Sequence, residues 1–170
     1  MAERIGPAEF SKLIDRFYKT TQDVLIDDGA LIEKLVGDEV ASIFVPGFAG
    51  PHYARKAVEA ARKLLLVTGH GDSNGPWIPV GVGVHSGRAW VGAVGSASGV
   101  VEMTALGDAP NVTARLASSA GKGEVLVSED AWNASQFAIP AVDERLLSLK
   151  GRKGPVRVKV LVAEKIIASK

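Results

Sequence analysis

The period at which apolar residues recur switches from helical to extended and back within the first part of this chain, and those switches limit the folds open to it. Over 7–26, Phe10, Leu13, Ile14, Phe17, Thr21, Val24 and Leu25 fall at helical spacing, with Pro7 tolerated in the first turn. Asp27, Asp28 and Gly29 close that helix. Two runs rich in β-formers follow, 30–36 and 39–45. They flank Gly37-Asp38, residue types suited to the positive φ of a two-residue hairpin loop. After a loop of Pro46, Gly47, Gly50 and Pro51 the helical period returns over 53–68, with Ala54, Ala57, Val58, Ala61, Leu64 and Leu65 on one stripe.

The remainder alternates short elements. Residues 69–76 are a polar turn cluster. A second hairpin is expected from 78–85 and 89–94 around Ser86-Gly87-Arg88, then a short strand over 100–104. A helix over 108–120 takes Asp108 as N-cap and Pro110 in its first turn. Strand 124–127, helix 130–135 and strands 145–149 and 156–162 complete the chain. Helices interleaved with hairpins predict an α+β sandwich, with helices covering one face of a mixed sheet, in a single domain over 1–170.

Composition removes several function classes. Twenty Lys and Arg against nineteen Asp and Glu leave a net charge of +1, too balanced for an electrostatic nucleic-acid or membrane binder. The absence of cysteine excludes disulfides, thiolate metal sites and Cys nucleophiles together. No apolar run approaches the roughly 18 residues a bilayer requires, and the charged N-terminus is no signal peptide, so a cytoplasmic location is expected. Nineteen glycines beside five Phe favour a turn-rich α/β chain over a helical bundle. Gly81, Gly83 and Gly87 in GVGVHSG do not match a dinucleotide fingerprint: Ser86 stands where its third glycine belongs and no helix follows. Paired hairpin glycines are the expected reading, and His85 a structural histidine. His52 and His70 lack metal-ligand spacing to any partner. The strands offer little aromatic surface beyond Phe44 for stacking RNA bases.

Two stretches carry chemistry. In Lys34-Leu-Val-Gly37-Asp38, strand alternation places Lys34 on one face with Ile32 and Val36, and Asp38 at the hairpin tip offers a carboxylate to a cation or to phosphate-bound Mg²⁺. Turn chemistry and edge-strand protection are the favoured account of the same residues when this stretch is taken alone. In Thr104-Ala-Leu-Gly-Asp108-Ala-Pro-Asn111-Val-Thr-Ala-Arg115, Asn111 and Arg115 are four apart, hence on one helix face near the positive end of the dipole. A guanidinium fork there suits phosphate and an amide suits a sugar or base. A capped amphipathic helix with a solvated polar face is the plain alternative.

Taken in order, IEKLVGDEVASIF, VGVGVHSGRAWVGAVGS, TALGDAPNVTARLASSAGKGEVLVSE and LKGRKGPVRVKVL resemble the catalytic domain of class III adenylate and guanylate cyclases, most closely bacterial single-domain versions. The resemblance implies a ferredoxin-like α+β sandwich, helices on a mainly antiparallel sheet, working as a homodimer with nucleotide sites at the interface. It implies a lyase that converts ATP to 3′,5′-cyclic AMP and pyrophosphate with Mg²⁺ or Mn²⁺. By residue it implies Asp38 as metal ligand, Lys34 and Thr104 as readers of the purine, Asn111 and Arg115 as the pair at the ribose and transition state, and Lys150 at the triphosphate. Asp38 of one copy would act with the other five of its twin.

In that family a strand bearing a first metal aspartate precedes the helix that begins here at residue 7. The resemblance therefore implies a first core strand missing from 1–170, a metal site reduced to Asp38, and neighbouring strands whose backbone groups need other partners. A longer natural chain, strand pairing with a second copy, and a degenerate domain that only binds nucleotide or dimerises each account for this. Asp27 and Asp28 are better read as helix-ending residues than as replacement ligands.

Overall fold

The computed structural model describes residues 5–95, 99, 101–139, 142–152 and 154–163. Helix α1 (Pro7–Asp27) leads into a hairpin of β1 (Leu31–Val36) and β2 (Glu39–Ile43). Next come a single-turn helix α2 (Pro46–Ala49), where only a loop is expected from the sequence, and α3 (Tyr53–Val67). Strand β3 (Val82–Val84), a hairpin of β4 (Trp90–Gly95) and β5 (Val101–Leu106), and helix α4 (Asp108–Ser119) follow. The chain continues through β6 (Glu124–Ser128), α5 (Glu129–Ser135), β7 (Asp143–Leu147) and β8 (Val156–Val162). The start expected for β5, Val100, lies outside the described residues.

Among the described residues the strands form three separate sheets: β1-β2, β4-β5 and a four-stranded β3-β6-β8-β7. In the last, β3 pairs with β6 in parallel while β6-β8 and β8-β7 are antiparallel. This division sets both hairpins apart from the four-stranded sheet. It also corrects the expected second hairpin: β3 and β4 do not pair with each other. Strand period says which residues face the core and nothing about which strand lies alongside. The linker between β3 and β4, residues 85–89, has no two-residue turn to force a hairpin.

The four-stranded sheet is covered on both faces, not on one as the sequence suggests. Along β6 the side chains alternate: Val125 and Val127 pack with Val58, Ala61 and Leu65 of α3, Ala131 of α5 and Phe137. Leu126 packs the other way, with Val112 and Leu116 of α4. Two-sided burial explains why EVLVS reads as a continuous apolar run rather than an alternating one. Gly83, paired with Leu126, allows α4 to approach: a Cβ there would lie 2.4 Å from the backbone N of Ala117. So Gly83 serves helix–strand contact, not the tight hairpin expected of GVGVHSG.

The β1-β2 hairpin rests on α1 and α3 through Ile32, Val40 and Phe44, against Leu25, Ala60 and Leu64. Asp28 closes α1 as expected, and its carboxylate takes both bonds from Lys63 Nζ of α3, at 2.7 and 2.8 Å. That leaves it committed to helix packing.

Candidate active site

The tip of the first hairpin is formed by Gly37 and Asp38, with Val36 paired to Glu39 across them. Gly37 has φ +60 while Asp38 keeps a negative φ, the pattern of a II′ turn with glycine at its first central position. Tyr18 of α1 donates its hydroxyl to the Gly37 carbonyl at 2.8 Å. The tip is thereby tied to the first helix, with Asp38 exposed beside the tie.

Lys34 does not share a face with Ile32. The ladder pairs Ile32 with Ser42 but Lys34 with Ala41, so β1 carries an extra residue between them. Such a bulge resets the alternation. Ile32 stays on the face packed against the helices, whereas Lys34 and Val36 turn to the opposite, exposed face with Ala41 and Glu39. Simple period-2 counting misses this, since no glycine marks the bulge. Strand β1 runs against β5, the strand that carries Thr104. Thr104 is buried at 6% exposure and sits opposite Gly92 in the β4-β5 ladder. The Trp90 ring covers Gly92 so closely that a Cβ would fall 2.6 Å from it. Trp90 is nonetheless 54% exposed, and Leu106, its cross-strand neighbour, 52%.

Helix α4 opens differently from expectation. Gly107, with φ +142, is the N-cap, and Asp108 is the first helical residue. Its carboxylate pairs with Arg152 at 3.0 Å instead of capping the helix. Pro110 leaves the helix uninterrupted. Asn111 is exposed and donates to the Gly107 carbonyl at 3.1 Å. One turn on, Arg115 lies against the turn at 149–152: a Cβ on Gly151 would stand 3.4 Å from its Nη2. That turn bears Lys150, exposed, so Lys150 follows α4 at the level of Arg115, one helical turn beyond Asn111. Strand β7 ends at Leu147, earlier than the expected 149, which frees Leu149 to enter the core beside α4.

His85 is structural, as expected. Its Nδ1 is 2.8 Å from the buried Ser128 Oγ, which also caps α5 by accepting from the Ala131 N–H. Burial is the main cause of its lowered pKa, with Asp130 and Asp108 opposing and Arg152 assisting.

For a divalent ion the donor set is small. Among the described residues no group of three or more His, Cys, Asp or Glu is placed to hold one. An exposed lone carboxylate fits an ion that arrives on substrate phosphates, as Mg²⁺ commonly does, and does not fit a cage built by protein alone. Asp38 is the residue that would hold it, and the ion would neutralise phosphate charge there.

Comparison with known proteins defines first the fold and then the family. The structure superposes on the guanylyl cyclase Cya2 with a TM-score of 0.83, at 22% identity, over 94% of this chain and 83% of that one. It superposes on the adenylyl cyclase CyaB from P. aeruginosa with a TM-score of 0.72, at 21% identity, over 94% and 86%. The architecture is that of a class III cyclase catalytic domain. The family model for the adenylate and guanylate cyclase catalytic domain matches residues 1–162, and the chain belongs to that family. An adenylate cyclase of Mycobacterium tuberculosis (strain ATCC 25618 / H37Rv) is 24% identical over 168 residues, which is 98% of this chain and 37% of that protein. An adenylate cyclase of Anabaena cylindrica is 29% identical over 122 residues, 68% of this chain and 24% of its own length. The chain thus spans about a quarter of the one relative and a little over a third of the other. No helix among the described residues is long and apolar enough to cross a membrane.

Proposed function

We propose that this chain is a single nucleotidyl cyclase domain that turns ATP into 3′,5′-cyclic AMP and pyrophosphate as a homodimer, in the cytoplasm where ATP is supplied. The observation that carries this reading is the Lys150 turn laid against Arg115 of α4, one helical turn beyond Asn111. An amide and a guanidinium on one helix face, with a lysine-bearing turn laid against them, suit a polyphosphate with a sugar attached. Relatives named adenylate cyclases support ATP as substrate, as does the placement of Lys34 and Thr104 on the adjoining strands β1 and β5.

In the reaction the ribose 3′-oxygen bonds to the α-phosphorus, the bond from that phosphorus to the bridging oxygen breaks, and pyrophosphate departs. The 3′-proton passes to solvent. In-line placement and charge neutralisation dominate such chemistry, so the site needs cations and an orienting amide, not a protein nucleophile. Mg²⁺ or Mn²⁺ would enter with the nucleotide at Asp38.

The exposed apolar side chains of the hairpins, Val36, Trp90, Val94, Val101, Met103 and Leu106, support a second copy as the surface that completes each site. Purified chain incubated with Mn²⁺ and either ATP or GTP tests the proposal. Cyclic AMP formation that Asp38→Ala abolishes, and an ATP preference that Lys34→Glu weakens, are the expected results. Absence of both cyclic products would leave a nucleotide-binding or dimerisation module of the same fold.

A further inference from the structure

The turn that bears Lys150 is fastened to α4 at three places, and one fastening involves a residue with no role in the scheme above. Leu149 is buried with Val112 and Leu116. Gly151, at φ +79, lets the backbone pass close to the Arg115 guanidinium. Arg152 donates its backbone N–H to the Leu149 carbonyl at 3.1 Å, closing the turn, and its Nη2 to Asp108 Oδ2 at 3.0 Å. Residues 108, 112, 115 and 116 lie on one face of α4, so the turn is laid along that face from the first helical residue to the third turn.

We infer that Arg152 is a positioning residue: through Asp108 it holds the 149–152 turn so that Lys150 and Arg115 present their charges side by side to a triphosphate. This rests on the cyclase reading for its ligand. Two physical effects act in the same direction. A bridge at Asp108 stops the turn from pivoting about Leu149, the one side chain of the turn sunk in the core. It also neutralises a carboxylate at the helix end toward which a polyanion would move, where an unpaired Asp108 would repel it. Both partners are partly exposed, with side chains 35% and 64% accessible, so the effect is one of tuning rather than of all or nothing.

The test is titration of the full chain with ATP and, separately, AMP in the presence of Mn²⁺. Arg152→Ala is expected to weaken ATP about fivefold and leave AMP unchanged, since the lost contribution is that of one exposed ion pair read through the outer phosphates. Asp108→Asn frees the same turn but also removes the repelling carboxylate, so it should weaken ATP less than Arg152→Ala does. The double variant should be no worse than Arg152→Ala alone, and Arg152→Lys should recover part of it. In turnover the same variants should raise KM with kcat held. If Arg152→Ala binds ATP like the parent, or loses ATP and AMP alike, or if the two substitutions add in full, Arg152 does not position the phosphate site. Parent protein that binds neither nucleotide would instead overturn the cyclase reading, and this role with it.

Discussion

The molecule has two unequal halves. The β3-β6-β8-β7 sheet is clad by α3 and α5 on one side and α4 on the other, and Leu65, Leu116, Leu126 and Val127 within it are fully buried. The β1-β2 and β4-β5 hairpins have one well-covered face at most and leave Val36, Trp90, Met103 and Leu106 exposed. The candidate site is divided along the same line. Asn111, Arg115 and Lys150 stand on the packed half, whereas Asp38, Lys34 and Thr104 belong to the hairpins. A fold arranged this way concentrates its core in one half and leaves Asp38 and Lys34 exposed on the other, with Thr104 buried further along the chain on β5.

The sharpest way to break this contrast is Leu126→Ala. It removes a fully buried side chain between two helix layers and should cost about 2–5 kcal/mol by urea unfolding. A cost under 1 kcal/mol would mean that the central sheet is not the stable half. Tyr18→Phe deletes the hydroxyl bond to Gly37 and should cost about 0.5–1.5 kcal/mol. Its larger signature is faster amide exchange confined to the Asp38 tip, and uniform exchange across the chain would refute a local tether.

Acid should act on the packed half through His70. Its Nε2 accepts the Val80 N–H at 3.0 Å, at the entrance to β3, which demands an unprotonated ring, and burial holds its pKa below the ordinary 6.5. The unfolded chain therefore takes up the proton first. The stabilisation is complete above 6.5 and is lost as pH falls through the lower folded-state value. His70→Gln, which can keep an acceptor without titrating, should flatten that part of the profile of Tm against pH, and an unaltered slope would contradict the assignment. The smallest effect on folding is expected of Leu106→Ser, within about 0.5 kcal/mol, because the residue is already in water. What it should lower is self-association, measured by sedimentation.

Legibility of the sequence followed the same division. The helix over 7–26 and the strand over 156–162 were readable because their periods are long and uninterrupted, and structure places them at Pro7–Asp27 and Val156–Val162. Partners were not readable: β3 joins β6 across more than one intervening element, and its glycines reflect a helix pressed against Gly83 rather than a turn. At the site, the spacing of Asn111 and Arg115 carried their shared helix face, since one helical turn is fixed geometry. The face of Lys34 was lost to a bulge that no residue type announces. Asp108 was misread as a cap because acidic residues serve both at the cap and in the first turn, and the distinction lay in Gly107. Arg152 left a faint signal, a cation just past a Lys-Gly turn, whose meaning depends on Asp108 being near in space.

The central claim is that each site takes Asp38 from one copy and Arg115 from another. Mixing the Asp38→Ala and Arg115→Ala proteins with Mn²⁺ and ATP tests it directly. Each variant alone should be silent, and their equimolar mixture should recover about a quarter of the parent's cyclic AMP production, because half the dimers are mixed and each mixed dimer has one intact site. A mixture as silent as its components would contradict a site shared between subunits.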